Sequence, residues 1–148
     1  MISPNYLQKN DTVAIVSTAR KITLQEINPA IKLLENWGLK VIIGKTIGLE
    51  ENQFAGSEKE RINDFQKMLD NHEIKAIWCA RGGYGTVKII DQLNFTRFKE
   101  YPKWIIGYSD VTVLHSHIHN LGIETLHATM PINVTKNSKE ALISLWLQ

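Results

Sequence analysis

Short apolar runs alternate with amphipathic segments along the chain, and this alternation limits the fold more than any other feature. The first run, Thr12 to Ser17 (TVAIVS), is continuous and rich in β-branched residues. Such a run suits a strand covered on both faces, as in a parallel sheet. Leu24, Ile27, Ile31, Leu34 and Trp37 follow at helical spacing. Thr23 and Glu26 form a capping box at that helix start, while Asn28 with Pro29 is a competing start. Gly38 ends the helix, and Leu39 to Ile43 (LKVII) reads as the second strand. Gly44 to Gly56 is a loop without periodicity. Ser57 and Glu60 make a second capping box, and Ile62, Phe65, Met68 and Leu69 supply the next apolar face. Ile74 to Cys79 (IKAIWC) is the third strand, and Lys103 to Ile106 (KWII) the fourth. Helices are expected over Thr86 to Leu93, over about Val111 to Asn120, and from about Ser138. A short strand is expected near Glu124 to Leu126. Strand and helix alternate, so the expectation is an α/β domain with an open, mostly parallel sheet and helices on both faces.

The chain has 148 residues, which fits one domain. Apolar residues at 43% and charged residues at 22% are ordinary for a globular core. Lys plus Arg number 17 against 15 Asp plus Glu, a balance of +2 that argues against a nucleic-acid partner or a membrane surface. No apolar stretch is long enough to cross a bilayer, and the first residues lack the pattern of a signal peptide. Cys79 is the single cysteine, so neither a disulfide framework nor a multi-cysteine metal site is expected. It is compatible with a reducing cytoplasm.

In a parallel α/β sheet, ligands bind where the loops leave the C-terminal ends of the strands. Two glycine-containing turns fall there. Gly107-Tyr108-Ser109-Asp110 follows an apolar strand and precedes a helix. That setting suits a nucleophile elbow, in which a sharp turn lifts a serine clear of the sheet and the next amide, on Asp110, faces a developing oxyanion. Val111 stands where the G-x-S-x-G pattern has its last glycine. The structural alternative is Ser109 as a plain helix N-cap. Arg81-Gly82-Gly83-Tyr84-Gly85 is the second turn, whose amides could complete an oxyanion hole. It lacks the third glycine of the dinucleotide fingerprint and the spacing of a P-loop.

Four segments together resemble a known family. They are Val13 to Ser17 (VAIVS), Phe54 to Ser57 (FAGS) with Arg61 and Asp64, Ile74 to Gly85 (IKAIWCARGGYG), and Ile106 to His115 (IGYSDVTVLH). From about Val13 to Pro131 the chain resembles the N-terminal half of the serine LD-carboxypeptidases. These muramoyltetrapeptide carboxypeptidases also include the microcin C self-immunity proteins. The resemblance implies a flavodoxin-like or class I glutamine amidotransferase-like fold. Ser109 then matches the nucleophile, Asp110 donates its backbone amide to the oxyanion, and Gly83 or Gly82 donates the second. The family's Glu and His come from a second, C-terminal domain, which would be absent from this chain. The implied substrate is a murein tetrapeptide that loses its terminal D-alanine in cytoplasmic cell-wall recycling. A peptidyl-nucleotide antibiotic is the alternative, and a non-catalytic binding module a third reading. No cofactor is implied. Many relatives have His-Gly-Pro where this chain has His127-Ala128-Thr129-Met130-Pro131.

Other residues carry weaker expectations. Arg81 could pair with a substrate carboxylate or equally with a carboxylate of the protein, and Tyr84 and Tyr108 could line a pocket. His115 and His119 share a helix face, but no third metal ligand is apparent, so His115 is expected to be structural. His127 as a replacement base runs against the family pattern. Cys79, Trp78 and Trp104 are expected in the core. Without its second domain the chain would expose an apolar face, which invites pairing of two copies.

Overall fold

The computed structural model describes residues 1–136, so the helix expected from Ser138 lies outside the described residues. Five strands form one parallel sheet: β1 (Thr12–Val16), β2 (Lys40–Ile43), β3 (Ile74–Cys79), β4 (Trp104–Gly107) and β5 (Leu126–His127). Their order is β2-β1-β3-β4-β5. Helices α1 (Leu24–Asn36), α2 (Glu58–Asp70), α3 (Thr96–Glu100) and α4 (Thr112–Asn120) cover the two faces. Side chains alternate across the strands, which splits the core in two. Val13, Ile15, Trp78 and Ile106 pack with Ile27, Ala30 and Leu34 of α1. Ala14, Val16, Ile77 and Ile105 pack on the other face with Phe65 of α2, Phe98 of α3 and Leu114 of α4.

Both capping boxes form. Thr23 Oγ1 accepts from the Glu26 amide and Glu26 Oε1 from the Thr23 amide, at 3.2 and 3.0 Å. Ser57 and Glu60 reciprocate in the same way at 3.1 and 2.7 Å. The Thr23 start therefore prevails over Asn28, and Pro29 sits inside α1. Proline there removes one backbone bond, and the box offsets part of that loss. Gly38, at φ +81°, closes α1 in a Schellman arrangement: its amide reaches Glu35 O, and the Leu39 amide reaches Leu34 O.

The structure departs from the sequence reading in several places. Thr86 to Leu93 is not one helix but two short 3₁₀ turns, Thr86–Lys88 and Ile90–Gln92. The Thr86 amide and hydroxyl are both committed to Asp110, which holds the entrance to this segment in place. The helix α3 carried no apolar periodicity; just ahead of it, the Asn94 side chain accepts from the Thr96 amide at 2.9 Å. Finally, β2 is an edge strand, so Ile42 and Ile43 are exposed despite their apolar run.

Lys103, expected within the fourth strand, precedes it and is buried, at 1% exposure. Its Nζ donates to Met68 O at 2.8 Å and Asn71 O at 2.5 Å, satisfying carbonyls at the end of α2. Burial pushes its pKa down from 10.5 to about 8. Between those values the unfolded chain binds more protons than the folded one, so stability rises with pH. In urea titrations, the stability of the wild type relative to Lys103→Met is expected to increase from pH 8 towards pH 10.5. A difference that stays flat across that window would contradict this placement.

Candidate active site

Ser109 lies just past the C-terminal end of β4, on a turn that reverses the chain into α4. Tyr108 is extended, and Ser109 then adopts φ +60°. A left-handed serine costs about 1–2 kcal/mol, so the surroundings must hold it. Ser109 is exposed, and among the described residues its Oγ has no hydrogen-bond partner. The short turn Ser109–Val111 carries no side-chain cap bond. Ser109 is thus displayed rather than spent as an N-cap.

Three sets of contacts hold the turn. Gly107 O accepts from His115 Nε2 at 2.8 Å and from the Ala128 amide at 3.1 Å. A carbonyl only accepts, so His115 carries its proton on Nε2. Its Nδ1 then accepts from Thr125 Oγ1 at 2.8 Å. Tyr108 supplies the second contact, its hydroxyl lying 3.0 Å from Asn133 Oδ1. Thr86 provides the third: its amide and Oγ1 donate to Asp110 Oδ2 at 3.1 and 2.6 Å. Since Thr86 Oγ1 gives its proton to the carboxylate, it accepts from Thr18 Oγ1, 2.8 Å away. Thr18 and Thr86 are fully buried. This chain of hydroxyls ties the loops after β1, β3 and β4 together.

Val111 at the last position of the serine pattern is accommodated locally. Any Cβ on Gly107 would lie 3.0 Å from both Val111 methyl carbons. Here the valine fills the space that the first glycine leaves open.

The glycine turn flanks the serine turn. A Cβ on Gly82 would lie 3.4 Å from the Asp110 amide nitrogen and 3.6 Å from Ser109 Cβ. Gly82 is buried; Gly83 is exposed at φ +116°, with the shaft of Arg20 lying across it. Gly85, at φ +145°, packs on Ala19 and the Phe54 ring. Phe54 in turn stacks on the buried Arg61 guanidinium, 4.7 Å from its ring centre, and Arg61 Nη1 donates to Gly56 O at 2.7 Å. Asp64 accepts from the Lys45 and Thr46 amides and the Thr46 hydroxyl. The FAGS, Arg61 and Asp64 segment therefore supports the loops from beneath.

The remaining candidates separate clearly. Arg81 is half-buried beside the turn, with Nη1 3.4 Å from Lys21 O. Tyr84 is half-exposed, and Tyr108 flanks Ser109. Cys79 is fully buried, and burial with the Asp110 charge pushes its thiol up to about 12, so it supplies no thiolate. His127 packs on Tyr108 and His115, with ring centres at 6.2 and 5.9 Å, and no hydrogen bond joins it to Ser109. His117 packs on Phe95. Among the described residues no three His, Cys, Asp or Glu side chains cluster as a metal site. Sequence reasoning missed Thr18, Thr86 and Thr125, whose only signal is that Thr86 directly follows the glycine turn.

Two expectations follow. Thr86→Val removes the hydroxyl that Asp110 shares, and urea denaturation should show a loss of about 1–3 kcal/mol; an unchanged midpoint would contradict the anchor. Burial, opposed by the Gly107 bond and aided by His127, holds the His115 pKa below 6.5. The unfolded chain then takes up this proton first as pH falls, so stability is lost through the folded-state value. His115→Gln should lose less stability below pH 6.5 than the wild type, and equal losses would refute this.

Comparison with known proteins identifies the family of the chain. The family described as the LD-carboxypeptidase N-terminal domain matches residues 13–128. The chain is 38% identical over 128 residues to a probable murein peptide carboxypeptidase of Bacillus subtilis, covering 86% of this chain and 40% of that protein. It is 28% identical over 141 residues to the murein tetrapeptide carboxypeptidase of Pseudomonas aeruginosa, covering 90% and 46%. Among solved structures, the microcin C7 self-immunity protein MccF in complex with aspartyl sulfamoyl adenosine superimposes with a TM-score of 0.86 at 25% identity, covering 99% of this chain and 46% of that one. The chain thus spans less than half the length of these relatives. On these matches, the chain belongs to the LD-carboxypeptidase family, over that family's N-terminal domain.

Proposed function

We propose that this chain is the nucleophile-bearing domain of a serine carboxypeptidase that removes the terminal D-alanine from a murein tetrapeptide. The observation that carries this reading is Ser109: exposed, left-handed, with its Oγ unengaged among the described residues and the Asp110 amide next in the chain. Ser109 Oγ attacks the carbonyl that joins the diamino acid to D-alanine. The carbonyl oxygen becomes an oxyanion, held by the Asp110 amide and by that of Gly83 or Gly82. Collapse of the intermediate breaks the C–N bond, and D-alanine leaves with a proton. Water then releases the acyl group from the serine. Arg81, Tyr84 and Tyr108 border the substrate.

The base belongs to this reading as a requirement. Among the described residues no imidazole or carboxylate is hydrogen-bonded to Ser109. In the proposed enzyme a histidine oriented by a glutamate, both from a second domain, takes the serine proton. The 148-residue chain alone is therefore expected not to hydrolyse the peptide. The setting proposed is the cytoplasm. A second reading, hydrolysis of a peptidyl-nucleotide antibiotic, draws on a match to the Escherichia coli protein MccF, 29% identical over 116 residues. The murein reading is favoured by the 38% match.

The test measures D-alanine release from a murein tetrapeptide by the full-length protein, by Ser109→Ala, and by the 148-residue chain. Turnover by the full-length protein is expected to fall by about 10³-fold or more in Ser109→Ala. Full activity in Ser109→Ala would overturn the serine assignment. Activity in the isolated chain would overturn the need for a second domain.

A further inference from the structure

The order β2-β1-β3 makes the chain leave β1 to one side and return on the other, which opens a crevice beyond the C-terminal ends of β1 and β3. A cleft of about 490 Å³ lies at this edge, lined by Arg20, Lys21, Asn52, Gln53 and Arg81. Arg20 and Arg81 follow β1 and β3 by a few residues. Lys21 is paired with Glu50 at 2.6 Å. The Glu51 charge acts on Arg61. Among the described residues, neither Arg20 nor Arg81 has a carboxylate within ion-pair distance. Two guanidinium groups thus border one cleft with no carboxylate partner among the described residues.

The backbone that carries Arg20 is fixed. Arg20 pairs with Phe54 in an antiparallel bridge, and the Lys21 amide donates to Gln53 O at 3.0 Å. Ser17 Oγ donates to Arg20 O at 2.6 Å. The Arg20 shaft crosses Gly83, where any Cβ would collide with its Cγ and Cδ. A glycine is needed there for Arg20 to lie flat on the turn.

We infer that Arg20 and Arg81 form a carboxylate subsite that receives the C-terminal carboxylate of a peptide whose last amide lies over Ser109. This rests on the serine reading above and adds the group that selects the end of the chain. In a peptide attacked at its last amide, only one nitrogen and one Cα separate the reacting carbonyl from the terminal carboxylate. Those bonds span less than about 4 Å. The cation that recognises the carboxylate must therefore border the oxyanion turn, and Arg20 lies on Gly83 itself. Planar guanidinium groups bind a carboxylate through paired hydrogen bonds, a geometry that ammonium groups do not offer.

The probes are N-acetyl-D-alanine and its uncharged amide, titrated into the isotope-labelled 148-residue chain and followed by backbone amide NMR. The acid is expected to give saturable shifts at Arg20, Arg81, Gly82 and Gly83. The amide, and the acid with Arg20→Gln or Arg81→Gln, should bind about tenfold more weakly or worse. Both arginines are at least partly exposed, so the variants should fold, which the spectra check directly. Equal binding of acid and amide, shifts reproduced by sodium chloride at matched ionic strength, or unchanged affinity in both variants would each overturn the subsite. Inorganic phosphate binding more tightly than the acid would overturn its assignment to a carboxylate. Peptide turnover by the full-length protein separates the two claims. Unchanged kcat/KM in the Arg20→Gln, Arg81→Gln double variant removes the subsite and leaves the serine reading intact. Arginine-dependent binding of the acid, with no turnover of any peptide, keeps the subsite and removes the serine reading.

Discussion

The Gly107 carbonyl is the fixed point on which the site depends. It accepts from His115 on α4 and from the Ala128 amide just after β5, so the end of β4 is held from two sides. Two residues later the chain enters the left-handed region at Ser109, a conformation that a serine does not favour unaided. Strain of this kind persists only when the surroundings over-determine it. The Thr18, Thr86 and Asp110 hydroxyl–carboxylate chain is the other restraint, and it reaches back to the first strand. The side chain with the exposed oxygen is thus held by its neighbours, while its own oxygen stays unengaged.

This division of labour gives the residue pair Ser109-Asp110 two different tasks. Ser109 presents a side chain to solvent. Asp110 turns its side chain to Thr86, and its backbone amide is the group proposed to face an oxyanion. Gly82 lies against the same pair, and its missing Cβ keeps that space open. In a site of this type, rate enhancement comes from donors placed before the reaction begins. The rigidity of the loops therefore belongs to the proposed mechanism and is not only a matter of stability.

Much of the fold was legible in the sequence because two local rules coincide. Uninterrupted apolar runs such as VAIV mark strands covered on both faces, and the Ser57/Glu60 box marks a helix start with no tertiary information. The family match covers most of the same stretch. What was not legible depends on contacts distant in sequence. Thr86 to Leu93 has helical composition, yet Asp110, 24 residues after Thr86, fixes its entrance. The KVII run reads as a strand, but only the strand order shows that it lies at an edge. Within the site, the serine turn was readable from its position between strand and helix. The hydroxyl chain was not, since isolated threonines carry no periodic signal. The burial of Lys103 is likewise not legible in the sequence, because it depends on carbonyls at the end of α2.

The central claim is that Ser109 is the reactive hydroxyl. It is tested most directly by treating the full-length protein with an alkyl fluorophosphonate and locating the adduct by peptide mass spectrometry. The account predicts a single phosphonylated residue, Ser109, with labelling suppressed by a murein tetrapeptide. Stoichiometric labelling at another serine, or none in a preparation that turns over the peptide, would contradict it.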